Sequence, residues 1–275
     1  MDTIIQAFVM GIVQGLTEFL PISSSGHLVI VPYLFGWDDP FLTSLAFTVM
    51  LHIGTMVALL VYFRADWIRL VPAGFAAIRD RSFADDPDRR LAWLLVAATI
   101  PAAAAGLLLG DIVETEFREV GLVALMLVVG GVIIWIADHV GGLTRRIVDL
   151  TFPGATIIGV AQALALIPGI SRSGISISAA RFLGLERESA ARFSFLMATP
   201  ITIGAILFEA RSLATGEAGV AVDLVPLLAG MLAALVAGMA AIHFMLRYLR
   251  TRSLDIFVWY RFGLAAFVLV IWLAR

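Results

Sequence analysis

The chain contains no cysteine, which excludes disulfide staples, thiol nucleophiles and cysteine-ligated metals. Charge is scarce as well. Only 15% of the 275 residues are Asp, Glu, Lys or Arg, against 61% hydrophobic, whereas a soluble domain carries about 25% charged residues. Mean hydropathy reaches +0.99. Together these values exclude an ordinary soluble domain and define an integral membrane protein. No Ser/Pro/Gly-rich linker or low-complexity segment interrupts the apolar runs, so a single membrane domain over residues 1–275 is expected. Met1-Asp2-Thr3 provides no basic n-region, so no cleavable signal peptide is expected.

What the chain does have is polar chemistry in costly places. Residues 14–27 read Gln-Gly-Leu-Thr-Glu-Phe-Leu-Pro-Ile-Ser-Ser-Ser-Gly-His, between two apolar segments. An ionisable group at membrane depth costs about 2.5 to 3.5 kcal/mol on insertion scales and persists mainly where it faces protein or a wet cavity. Glu18 and His27 are therefore functional candidates. Gln14 and Glu18 share one helix face, and Pro21 favours an end to that helix. Ser23, Ser24 and Ser25 form a polar tip, Gly26 relaxes the backbone, and a new helix carries His27 in its first turn. The N-H groups of such a helix start suit an oxyanion such as phosphate.

The arm after this tip, Gly26 to about Gly36, covers roughly half of a 30 Å hydrocarbon core. Residues 3–36 are thus expected to form a re-entrant hairpin. Full spans are expected at 45–63, 91–109, 120–138, 193–210 (kinked at Thr199-Pro200), 224–246 and 256–274, with an interfacial amphipathic helix at 66–80. Residues 152–184 repeat the opening: Gly159, Gln162, Ser171, Ser173, Gly174 and Gly184 match Gly11, Gln14, Ser23, Ser25, Gly26 and Gly36 at a constant offset of 148. Thr202 and Arg211 match Thr55 and Arg64 at offset 147. The expected fold is therefore an all-α polytopic bundle of two halves, about 1–140 and 150–275, each a re-entrant hairpin plus three transmembrane helices. Three spans per half is odd, so the second half should be inverted relative to the first. Loops 64–90, 138–149 and 247–255 hold six, two and three Arg, while 111–119 and 211–223 hold one each, which puts the first three in the cytoplasm. The first hairpin then enters from the outer face, and the two polar tips can meet near mid-membrane.

The second tip, Pro168-Gly169-Ile170-Ser171-Arg172-Ser173-Gly174-Ile175-Ser176, adds a cation where the first has Ser24. An Arg fork matches phosphate bidentately, and apolar surroundings call for a ligand that tolerates lipid. A phosphorylated lipid meets both conditions. Ser23, Ser25, Ser171 and Ser173 are also candidate helix caps or small packing residues, His52 is read as packing, and Arg181 and Glu209 as side chains that snorkel from segment ends.

The run at 14–27 resembles the (E/Q)xxxE-FLP-SS-GH signature of the undecaprenyl-diphosphate phosphatases of the bacitracin-resistance type, and residues 168–176 resemble their PGxSRSGxT motif. The resemblance spans essentially the whole chain. Gln14 stands where Glu is frequent, which removes one carboxylate from any two-carboxylate metal site, and Ser176 replaces the usual Thr. The resemblance implies hydrolysis of undecaprenyl diphosphate to the monophosphate and inorganic phosphate, recycling the lipid carrier for cell-wall synthesis. It also implies bacitracin resistance and a multi-pass protein of the bacterial inner membrane whose site opens outward. By motif position, Glu18, Ser24, His27 and Arg172 carry over as essential.

Gln14, Ser23, Ser25, Ser171, Ser173, Gly174 and Ser176 are the substrate-binding candidates. The expected scheme has Ser24 attacking phosphorus, His27 as its acid-base partner and Glu18 orienting the imidazole. His27 or water as the nucleophile are the alternatives. A divalent cation, Mg²⁺ or Ca²⁺, held by Glu18 and the diphosphate is a further expectation. Expected partners are a polyprenyl diphosphate lipid, the bilayer and a second copy of the chain, with no nucleic acid. The rival class is a transporter or flippase of a phosphorylated lipid, which the inverted-repeat architecture would suit.

Overall fold

The computed structural model describes residues 2–83, 86–117, 119–142, 144–214 and 223–274. Among them are eleven α-helices and no strand. Helices α1 (Asp2–Phe19) and α2 (Ser24–Phe35) pack against each other as the first hairpin. Next come α3 (Leu45–Tyr62), α4 (Arg64–Asp80), α5 (Pro87–Glu116) and α6 (Val120–Val140). The second hairpin is α7 (Phe152–Ala163), prolonged by a 3-10 turn at Leu164–Leu166, with α8 (Arg172–Phe182). Helices α9 (Arg187–Ala214), α10 (Leu224–Tyr248) and α11 (Asp255–Ala274) complete the chain. Five of these are long and apolar enough to cross a membrane, and α3 and α4, bent by 83° at their junction, pass the same test only when taken together. The protein is an all-α polytopic membrane bundle.

A helix occurs at each expected position, with changed ends. Helix α5 runs on to Glu116, into the segment expected as the 111–119 loop, and α9 continues through Pro200 to Ala214. The rest of the expected 211–223 link, residues 215–222, lies outside the described residues. Helix α4 turns Ile68, Val71, Phe75 and Ile78 outward along one stripe, the pattern of a helix lying in the interface. On the spans, Leu107, Leu108, Val236 and Leu273 are exposed, as lipid-facing residues should be.

Small residues set the helix crossings. A Cβ added to Gly11 of α1 would collide with the Gly230 carbonyl oxygen of α10. At the repeat-equivalent Gly159 of α7 it would collide with the Ala98 oxygen of α5. Each hairpin's first arm thus packs, backbone to backbone, on a span of the other half. This cross-packing carries both tips into the centre.

One end of the bundle gathers the arginines. Arg192 of α9 pairs with Asp66 of α4 at 2.7 Å, Arg69 with Asp88 at the start of α5 at 2.8 Å, and Arg250 after α10 with Glu188 at 2.9 Å. At the same end Asp138 of α6 accepts from Arg187 at 2.7 Å and from the Leu254 amide at 2.9 Å. Arg181 does not snorkel. It is fully buried there, donating to Asp138 and to the carbonyls of Gly141, Gly142 and Leu185, because the end of α6 and the turn after α8 leave acceptors that only a long multi-donor side chain can satisfy.

Candidate active site

Both tips are built alike. Ser23 and Ser171 adopt φ of 75° and 79°, where non-glycine residues are uncommon, and each caps the helix after it. The Gly26 amide donates to Ser23 Oγ at 3.3 Å, and the Gly174 amide donates to Ser171 Oγ at 3.1 Å. The Oγ atoms of Ser25 and Ser173 lie 3.3 and 3.2 Å from those of Ser23 and Ser171. The tips are also stitched together: the Gly169 amide donates to Ser23 Oγ at 3.1 Å, and Ser173 Oγ donates to the Leu20 carbonyl at 3.1 Å. Both Gly26 and Gly174 sit close against their caps, and Gly26 also lies against Gly169 of the other tip.

This geometry places Ser24 and Arg172, equivalent in the repeat, at the first position of α2 and of α8. Both meet Glu18. Ser24 Oγ donates to Glu18 Oε2 at 2.6 Å, within the short range of a charge-assisted bond. An Arg172 terminal nitrogen contacts Glu18 Oε1, and the other donates to Thr202 Oγ1 at 2.6 Å. Gln14 Nε2 adds a donor to Oε2 at 3.0 Å. Gln14 and Glu18 are buried, whereas Ser24 and Arg172 are partly open. Gln14 Oε1 is buried without a hydrogen-bond partner among the described residues. Its repeat twin Gln162 is buried too, but Leu166 stands where the offset would place an acid, so only the first hairpin carries a carboxylate.

His27 is held differently from the expectation that Glu18 orients it. Its Nδ1–H donates to the Ser23 carbonyl at 2.7 Å, and its Nε2 lies 2.8 Å from the Tyr260 hydroxyl. The carboxylate is already engaged by three donors, one of them cationic, and it points toward Ser24 and Arg172. Ser176, one turn beyond Arg172 on the same face of α8, is hydrogen-bonded to Ser194 of α9 at 2.6 Å and to the Arg172 carbonyl at 2.7 Å, where it braces the helix against α9.

Three residues at the centre escape the sequence motifs: Thr202, Tyr260 and Arg261. Arg261 is fully buried and donates to the carbonyls of Pro21 at 3.2 Å and Gly169 at 2.6 Å, one on each tip, and to Leu127 at 3.0 Å. Gly130 admits it, since a Cβ there would collide with its guanidinium. A charged residue within a span was the available signal for Arg261, and the match to Thr55 was the signal for Thr202.

Fold and site together define a multi-pass helical membrane protein with a partly open Ser-Glu-Arg cluster where two broken hairpins meet. The chain belongs to the family described as Bacitracin resistance protein BacA, which it matches over residues 7–267. It is 47% identical over 270 residues to the undecaprenyl-diphosphatase of Desulforudis audaxviator, covering 98% of both chains. It is 46% identical over 274 residues to that of Moorella thermoacetica, with 99% of this chain and all of the other covered. To the undecaprenyl-diphosphatase of Gemmatimonas aurantiaca it is 46% identical over 259 residues, 94% of each.

Proposed function

We propose that the protein is a membrane hydrolase that converts undecaprenyl diphosphate to undecaprenyl phosphate and inorganic phosphate, recycling the lipid carrier for cell-wall synthesis and conferring bacitracin resistance. The observation that carries this reading is the Ser24 hydroxyl, 2.6 Å from Glu18 at the start of one helix and facing Arg172 at the start of another. Ser24 Oγ attacks the terminal phosphorus and passes its proton to Glu18. The anhydride bond breaks, and undecaprenyl phosphate leaves. Water then hydrolyses the phosphoserine. Arg172 and the helix-start amides hold the charge on the transferring phosphoryl oxygens, the dominant contribution in such transfers. His27, with Nε2 on its outward side, acts on protons at the leaving or attacking oxygen.

A divalent cation, Mg²⁺ or Ca²⁺, fits here as a companion of the substrate. Gln14 Oε1 is a buried acceptor without a partner beside the Glu18 carboxylate, a pair of oxygen donors suited to a hard cation. No group of three His, Cys, Asp or Glu side chains able to hold a metal occurs among the described residues, so the diphosphate must provide further ligands. When bound, the cation neutralises diphosphate charge.

The halves run in opposite senses in this reading. At the arginine end α3, α5 and α6 end, begin and end, whereas their counterparts α9, α10 and α11 begin, end and begin, which supports an inverted repeat. With the arginines cytoplasmic, the protein lies in the bacterial inner membrane with its site open to the outer face. The same architecture would serve a lipid transporter, so the test is chemical. Purified protein in detergent should release phosphate from a soluble short-chain prenyl diphosphate, and a chelator should slow that release. Binding without phosphate release, with or without added Mg²⁺ and Ca²⁺, would favour transport.

A further inference from the structure

The imidazole of His27 has one nitrogen whose role is fixed by its neighbour. A carbonyl oxygen can only accept, so the 2.7 Å contact with the Ser23 carbonyl requires the proton on Nδ1. In the neutral ring Nε2 then carries the lone pair, and the Tyr260 hydroxyl, 2.8 Å away, donates to it. The two rings lie nearly parallel, 9° apart in plane with centroids 5.7 Å apart. Tyr260 therefore fixes both the position of the ring and the occupant of its only free nitrogen.

Exposure gives this contact a direction. His27 is 5% exposed, whereas Tyr260 is 45% exposed. Tyr260 shares the outward face of α11 with Ile256, Trp259 and Phe267, an apolar surface suited to lipid tails. Its neighbour Arg261 points the other way and ties α11 to the Pro21 and Gly169 carbonyls of both tips. The Tyr260 backbone is thus anchored to the site, while its ring stands between the imidazole and the lipid side. A diphosphate whose chain stays in the bilayer must bring its headgroup past this ring.

We propose that Tyr260 is a positioning residue of the site, a hydroxyl-tipped post at its lipid-facing edge that holds His27 Nε2 until the diphosphate head of a lipid substrate takes the hydroxyl's place. This rests on the hydrolase reading for its substrate, but the resting contact stands apart from it. The protonated P–OH of the terminal phosphate donates to Nε2 as the hydroxyl did, so the exchange keeps a hydrogen bond there and the imidazole, its own proton still on Nδ1, reaches the phosphate already aimed to take that proton. Ring stacking alone would be served equally by phenylalanine, whereas the proposed role needs the hydroxyl.

Tyr260→Phe therefore decides the matter. In purified protein with ¹⁵N-labelled histidine, of which the chain has four, the His27 Nε2 resonance should move in the variant while Nδ1 stays. Turnover of a short-chain prenyl diphosphate should fall in kcat by about fivefold to tenfold, the loss of one hydrogen bond, with KM within about twofold of wild type. In the wild-type protein, a non-hydrolysable prenyl methylenediphosphonate should shift the same Nε2 resonance, a readout that needs no variant to fold. A Tyr260→Phe enzyme with wild-type kcat, or a reduced kcat with Nε2 unmoved, overturns the proposal. Failure of the wild-type enzyme to release phosphate would instead sink the hydrolase reading, leaving the resonance shifts to report the contact itself.

Discussion

Arg172 divides its two terminal nitrogens between Glu18 and Thr202, so a single planar group braces the carboxylate and reaches the second half's α9. An ammonium cannot span both. Arg172→Lys should keep the charge yet lower kcat/KM about 30-fold, corresponding to roughly 2 kcal/mol for a lost charge-assisted contact. Steady-state kinetics on the purified variant would check this, and a loss under threefold would mean that Arg172 acts as a diffuse charge. At this scale the sequence was informative wherever a polar group stood in an apolar setting: Glu18, Ser24, His27 and Arg172 stand out for that reason. Their pairing was not legible. Glu18 serves Ser24 rather than His27, and the partner of His27 is Tyr260, 233 residues away on another helix. Only packing brings such residues together.

At the scale of elements, the same physical device appears twice. Ser23 and Ser171 each follow a broken helix, sit at positive φ and cap the next helix, and Gly11 and Gly159 each let the preceding arm touch a carbonyl of the opposite half. The constant offset of 148 makes these pairs legible in the sequence, because both copies must keep the same residue types wherever the same turn or close crossing recurs. The ends of α5 and α9 were not legible, since helix formers such as the run near Glu114 and Glu116 extend a span beyond its apolar part. Gly159→Ala should lower detergent-solubilised stability by about 1 to 3 kcal/mol through overpacking, seen as a reduced midpoint of thermal unfolding. Gly263→Ala, inside α11 with nothing within 4 Å of a new Cβ, should leave that midpoint unchanged or raise it, since Ala is the better helix former. Equal effects of the two would contradict the close crossing.

At the scale of the whole molecule, the arginine-paired end fixes one face and the cross-packed hairpins fix the centre. The chain has no native cysteine, so a single introduced one reports sidedness without background. Glu119→Cys should label with an impermeant reagent in intact cells, and Thr251→Cys should label only after permeabilisation. Labelling of both from outside would contradict the orientation. The central claim is that the centre is a serine-based phosphoryl-transfer site, and Ser24→Ala tests it most directly. In single-turnover phosphate release from a short-chain prenyl diphosphate, the variant should lose several orders of magnitude in the chemical step, on the scale expected when a nucleophile is removed, while binding the substrate about as tightly as wild type. A Ser24→Ala enzyme that releases phosphate near the wild-type rate would contradict the account and leave His27 or water as the attacking group.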